Sequence, residues 1–207
     1  MSISARWALR FAVLGAAAVL LLTLLGAAGF PGYSHASQFI SELGARGAPY
    51  ELWVRFAGFL PAGIFVGLFA AAAFRALPRS GLTSAGLLGI GVYALGYVAA
   101  AFFPCEAGCR PAQPSLSQTI HNVLGLAGYL LAPLSIYALA WQARRWPGAR
   151  LLAGLGFVAA ALVLVGLLTL SPKSPFAGTS QRVIEVAVLS WVVMCGLYLR
   201  SRAARAA

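Results

Sequence analysis

Residues 151–170 read LLAGLGFVAAALVLVGLLTL, twenty consecutive positions without a charged side chain. At about 1.5 Å of rise per residue a helix of that length covers about 30 Å, the hydrocarbon thickness of a bilayer. Lipid offers no partner to a backbone N–H or C=O, so a spanning segment must bond its own, as a helix does. Five further apolar stretches flank this one, at approximately 7–30, 51–73, 82–103, 120–141 and 182–199. The predicted fold is all-α: a polytopic membrane protein, a six-transmembrane-helix bundle forming a single domain over residues 1–207. Composition agrees, because 61% of residues are hydrophobic and 9% charged, against about 25% charged in a soluble domain.

Formal charge is +11, from fourteen Arg and one Lys against four Glu. In a soluble chain that balance suggests nucleic acid; here the placement of the charges decides. Short cytoplasmic segments of membrane proteins collect Lys and Arg. With the N-terminus inside, ten basic residues fall on inner segments, while Arg46, Arg55, Arg110, Lys173 and Arg182 fall outside with all four acids, Glu42, Glu51, Glu106 and Glu185. The asymmetry predicts an N-in/C-in chain in a prokaryotic plasma (inner) membrane, both termini cytoplasmic, and accounts for the charge without a nucleic-acid partner. Trp7, Trp141 and Trp146 suit the inner boundary, and Tyr50 and Trp53 the outer one. Arg6 and Arg10 before an apolar run resemble a secretory signal, but the run exceeds the 7–15 residues of a signal core, so the first span is read as retained.

Gly63 and Gly67 form a GxxxG pair, and Gly86, Gly89, Gly91 and Gly96 stud the third span, a pattern that lets helix backbones approach closely in lipid. Pro61 and Pro133 are expected to kink their spans.

The chemistry-bearing residues sort to the outer side. In the first outer loop Ser34 is an expected N-cap and Gly44 an expected C′ residue of a short interfacial helix, which places Ala36, Phe39, Ile40 and Leu43 on one face and His35, Gln38 and Glu42 on another. That helix is either a plain re-entrant segment or a lid presenting His35, Ser41 and Glu42 to a cavity. The second outer loop carries Cys105 and Cys109 around Gly108, which reads as a disulfide, with a metal site on both thiolates as the alternative. Ser115-x-x-Gln118 resembles a capping box that starts the fourth helix near Leu116 and sets His121 about 7 Å inside its outer end. A histidine at that depth serves either a cavity or a bond to a neighbouring helix. Gln181, Arg182 and Glu185 gather at the outer end of the last span, where Arg182 and Glu185 at i, i+3 can pair. Outward helix N-termini beside Arg55, Lys173 and Arg182 suit an anion such as a lipid phosphate.

His35 followed by Ser41-Glu42-Leu43-Gly44-Ala45, Phe103-Pro104-Cys105-Glu106-x-x-Cys109, His121-x-x-x-Gly125 and Gly178-x-x-Gln181-Arg182 together resemble a six-span prokaryotic membrane family catalogued as a domain of unknown function, number nine-nine-eight. The likeness covers nearly the whole chain. It implies a six-helix bundle and carries no activity with it. A more distant likeness, to the FRAG/DRAM/Sfk group of six-span lipid-associated proteins, rests on helix count and loop placement.

The functional expectation is a binding or transport-type membrane protein with an extracytoplasmic-facing polar pocket. His35, Ser41, Glu42, His121, Gln181, Arg182 and Glu185 would hold a lipid headgroup or small polar ligand, with membrane lipid as partner and no cofactor; the sequence leans against catalysis and assigns no catalytic residue. One alternative is a membrane-embedded metal-dependent hydrolase. Catalytic zinc needs three protein ligands plus water, so His35 and His121 would both be required, with Glu42 or Glu185 as the third, and His35 and Glu42 stand about 10.5 Å apart along a straight helix. The other is an accessory subunit in contact with other membrane subunits. The chain has no GxSxG elbow, P-loop, haem-binding CxxCH or catalytic CxxC.

Overall fold

The computed structural model describes residues 3–205. Six long helices carry the chain: α1 (Ile3–Ala28), α2 (Glu51–Ala76), α3 (Gly81–Phe102), α4 (Leu116–Ala143), α5 (Arg150–Thr169) and α6 (Ala177–Arg205). Each is long and apolar enough to cross a membrane, and there is no strand among the described residues. Consecutive helices pack as neighbours and α6 closes back on α1, so the bundle is a ring. Both termini lie at one end; the first, third and fifth loops meet at the other, here the distal end, where the Arg46 amide donates to the Cys105 carbonyl and the Thr179 amide to the Ala36 carbonyl.

Small residues set the ring's tightness. A methyl at Gly63 would meet the Ala94 carbonyl at 2.8 Å, and one at Gly86 the Ser135 carbonyl at 3.0 Å, so α2–α3 and α3–α4 approach nearly backbone to backbone. Gly67 and Gly91, read with them from the sequence, have room for a side chain. Trp146, in the loop between α4 and α5, is buried and stacked on Tyr198.

Proline breaks regularity where it affects the distal end. Pro61 has no amide to donate, and the turn before it widens to a π-helix over Val54–Phe59, in which the Leu60 amide reaches the Arg55 carbonyl. The extra residue turns Phe59 towards α3, its ring 6.3 Å from that of Tyr97. Pro133, inside α4, removes the amide that would bond the Tyr129 carbonyl.

The first loop is less helical than the Ser34–Gly44 reading. A single 3-10 turn spans Ile40–Gly44, because Phe39 is extended (φ −67°, ψ 149°) and starts the helix only there, its amide capped by Glu42 Oε1 at 3.0 Å; the Ser34 amide donates to Gln38 Oε1 at 2.8 Å. Cys105 and Cys109 are joined as a disulfide, their Cα atoms 5.0 Å apart, with Gly108 at φ +72° making the turn.

Candidate functional site

A cavity of about 410 Å³ occupies the distal part of the ring. The first loop supplies Phe39, Ile40 and Ser41, the disulfide loop Cys109, and the α5–α6 loop Leu170 and Pro172. Between them lie faces of α3 (Tyr93, Gly96, Tyr97), α4 (His121, Asn122, Gly125, Leu126, Tyr129) and α6 (Gln181, Glu185), with Phe59 from α2. Leu126 both lines the cavity and is half exposed on the flank of α4.

Glu185 forms the base. It lies eight residues into α6, about 12 Å from the helix start, and is 5% exposed. Three phenols converge on it: Tyr93 and Tyr97 donate to Oε2, and Tyr129 donates to Oε1 at 2.6 Å. Three phenolic O–H groups directed at one carboxyl favour its ionised form, which accepts at both oxygens. Tyr93 and Tyr97 stand at i, i+4 on one face of α3 with their rings edge to face at 5.4 Å, and the Tyr129 ring is 6.3 Å from Tyr93. Gln181, one turn before Glu185, donates from Nε2 to the Tyr129 hydroxyl at 2.9 Å and accepts the Ile40 amide at 2.6 Å, so one side chain joins the cavity base to the first loop.

His121 lines the cavity wall. Its Nδ1 is 3.0 Å from the Phe103 carbonyl, and a carbonyl only accepts, so Nδ1 carries the proton and Nε2 of the neutral ring is an acceptor. Asn122 Oδ1 receives Gln118 Nε2 at 2.8 Å. Gln118 forms only half a capping box: its amide bonds the Ser115 hydroxyl at 3.3 Å, but its side chain turns to the Glu106 amide at 2.9 Å.

The remaining expected residues are structural. Arg182 does not pair with Glu185. Its NH1 donates to the carbonyls of Gln38 (3.0 Å) and Gly178 (2.9 Å) and its NH2 to the Tyr33 hydroxyl (2.8 Å), which in turn donates to the Phe39 carbonyl at 2.9 Å. Carbonyls of the folded loop outcompete the carboxylate one turn away, and the guanidinium becomes a staple between α6 and the first loop. Gly178 permits this contact, since a methyl there would overlap the Gln38 and His35 carbonyl oxygens. Glu42 is buried, receiving the Phe39 amide and Gln38 Nε2 (2.9 Å), with Arg110 at 3.7 Å; it stabilises the loop and does not line the cavity. His35 is exposed beside Tyr33; burial of its ring, then the Arg182 charge, hold its pKa below the ordinary value, while burial raises that of Tyr33. Of the expected site residues, Ser41, His121, Gln181 and Glu185 share the cavity; His35, Glu42 and Arg182 do not line it. Among the described residues no three His, Cys, Asp or Glu side chains gather as a metal ion requires.

The three tyrosines are absent from the sequence reading, although one cue was there: Tyr93 and Tyr97 lie nine and five residues inside the distal end of their span, deeper than an aromatic belt.

A family model described as Protein of unknown function (DUF998) matches residues 13–198. No curated protein and no solved structure matches the chain.

Proposed function

The chain belongs to the DUF998 family of proteins of unknown function, and from that premise we propose that this multi-pass membrane protein binds the polar head of a lipid or other small amphiphile in the distal cavity. The cavity faces the extracytoplasmic side of a prokaryotic inner membrane in this reading, with both termini in the cytoplasm. What carries the reading is a buried carboxylate at membrane depth that forms no ion pair among the described residues and that opens into a mostly apolar space. Ionisable groups at such depth are expensive and mark pathways and sites. The charge asymmetry supports the orientation, and the disulfide suits an oxidising compartment. The half-exposed Leu126 wall gives a lipid chain a way to remain in the bilayer while its head enters.

The test is native mass spectrometry of the protein released from nanodiscs. Wild-type protein carries one retained amphiphile, and Glu185→Gln loses most of it while matching the melting temperature of delipidated wild type. Equal retention by the two proteins overturns the reading.

A further inference from the structure

We propose, building on that reading, that the head group held at Glu185 is an ammonium, and that a primary ammonium fits best. Hydrogen-bond accounting leads there. Each phenol has one proton, and those of Tyr93, Tyr97 and Tyr129 all go to the carboxylate. What the base offers a ligand is therefore acceptors: phenolic lone pairs and the unoccupied lone pair of Glu185 Oε1. Nε2 of neutral His121 adds another on the wall.

The counter-charge has no source in the neighbouring arginines. Arg55 bonds Glu51 at 2.7 Å and the Ala101 carbonyl at 2.7 Å, Arg110 is held by Glu42 and the Ser37 carbonyl, and Arg182 is the loop staple. None of the three lines the cavity, and neither does Lys173, which is exposed in the α5–α6 loop next to the lining Pro172. An anion placed here would face a carboxylate in a low dielectric with no Lys or Arg among the described residues that line the cavity, whereas a cation would neutralise it. The rings of Tyr93, Tyr97, Tyr129 and Phe59 enclose the same space, and aromatic faces attract ammonium groups. N–H donors use the open acceptors, which a quaternary ammonium cannot do, so the primary form is favoured. The phosphate site suggested by Arg55, Lys173 and Arg182 in the sequence is replaced by its opposite.

The experiment is calorimetric titration of the full chain in maltoside micelles with n-dodecylammonium, n-dodecanol and n-dodecyl phosphate. Dodecylammonium is expected to bind a single site at least about tenfold more tightly than either chain-matched probe, a difference of about 1.4 kcal/mol, and Glu185→Gln to lose that preference. Equal affinities in the wild-type protein overturn the ammonium inference and leave amphiphile binding standing; binding of none of the three overturns both. The wild-type ratios decide this even if the variant does not fold. Ethylammonium and lysophosphatidylethanolamine then separate the sources. Binding of the first at comparable affinity assigns a free amine, and binding of the second alone assigns a lipid headgroup; both support the ammonium class.

Discussion

Arg182 and Glu185 stand one turn apart on α6, and the protein uses their charges in opposite ways. Arg182 spends its guanidinium on two carbonyls and a phenol of its surroundings, fastening a loop 144 residues away in sequence. Glu185 meets three hydroxyl dipoles and a cavity. A charge spread over fixed polar groups of the chain finishes a structure. A charge that the chain solvates with dipoles and leaves without a counter-ion keeps a place for something else. The distal end therefore has two layers: a stapled cap of first loop and disulfide loop, and beneath it a chamber whose base offers acceptors.

The sharpest way to break this contrast is to remove each charge in turn. Arg182→Met removes the cationic donor shared by the Gln38 and Gly178 carbonyls and the Tyr33 hydroxyl, and hydrogen bonds to a charged group are worth about 1.5–3 kcal/mol each before relaxation. A net loss of about 2–4 kcal/mol is expected, read as a fall of several degrees in Tm in detergent. Glu185→Gln keeps the shape and removes a buried charge, so the ligand-free protein should stay within about 1 kcal/mol of wild type. If the two variants lose stability equally, Glu185 is as structural as Arg182 and the contrast fails.

Next in size is the disulfide, which belongs to the cap alone. Closing so short a loop is worth about 2 kcal/mol on chain-entropy grounds. Cys105→Ser/Cys109→Ser should lower Tm by less than Arg182→Met and also weaken amphiphile retention, because Cys109 and its neighbour Ser41, 3.5 Å from its sulfur, both line the cavity. An unchanged Tm together with unchanged retention would show that the cap and the chamber are independent.

The six spans were legible because a bilayer demands about twenty apolar residues at a time, and the cysteine pair because Gly108 and two prolines leave that loop few shapes. Ser41, His121, Gln181 and Glu185 were legible as polar groups on one side of the membrane. Residue spacing could not tell which way the charged ones turn. An i, i+3 interval says that Arg182 and Glu185 can meet, not that loop carbonyls will claim the arginine first. The short helix read over Ser34–Gly44 keeps only its last five residues, because Phe39 is extended and restarts the helix there, a backbone choice that spacing does not reveal; Glu42, which looks like part of an exposed face, folds back to cap the Phe39 amide. The tyrosines were hidden because a phenol carries no charge and interfaces are rich in them; only their depth and their i, i+4 interval set them apart.

The smallest expected effect tests the cap by pH. His35 has its pKa held below the ordinary value of about 6.5 by burial and by the Arg182 charge, so the unfolded or undocked loop binds a proton more readily than the docked one. Its contribution is fully present above pH about 6.5 and is lost as the pH falls through the lower docked value. His35 is exposed, so the change is confined to local opening. Hydrogen exchange at the Thr179 amide, which donates to Ala36, should speed up modestly between pH 7.5 and 5 after correction for intrinsic rates, and His35→Gln should flatten that response. The chamber beneath should not follow: dodecylammonium affinity in His35→Gln should match wild type across the same range. A matching pH response in His35→Gln would assign the proton to another group, and a parallel loss of amphiphile affinity would mean that opening the cap opens the chamber as well.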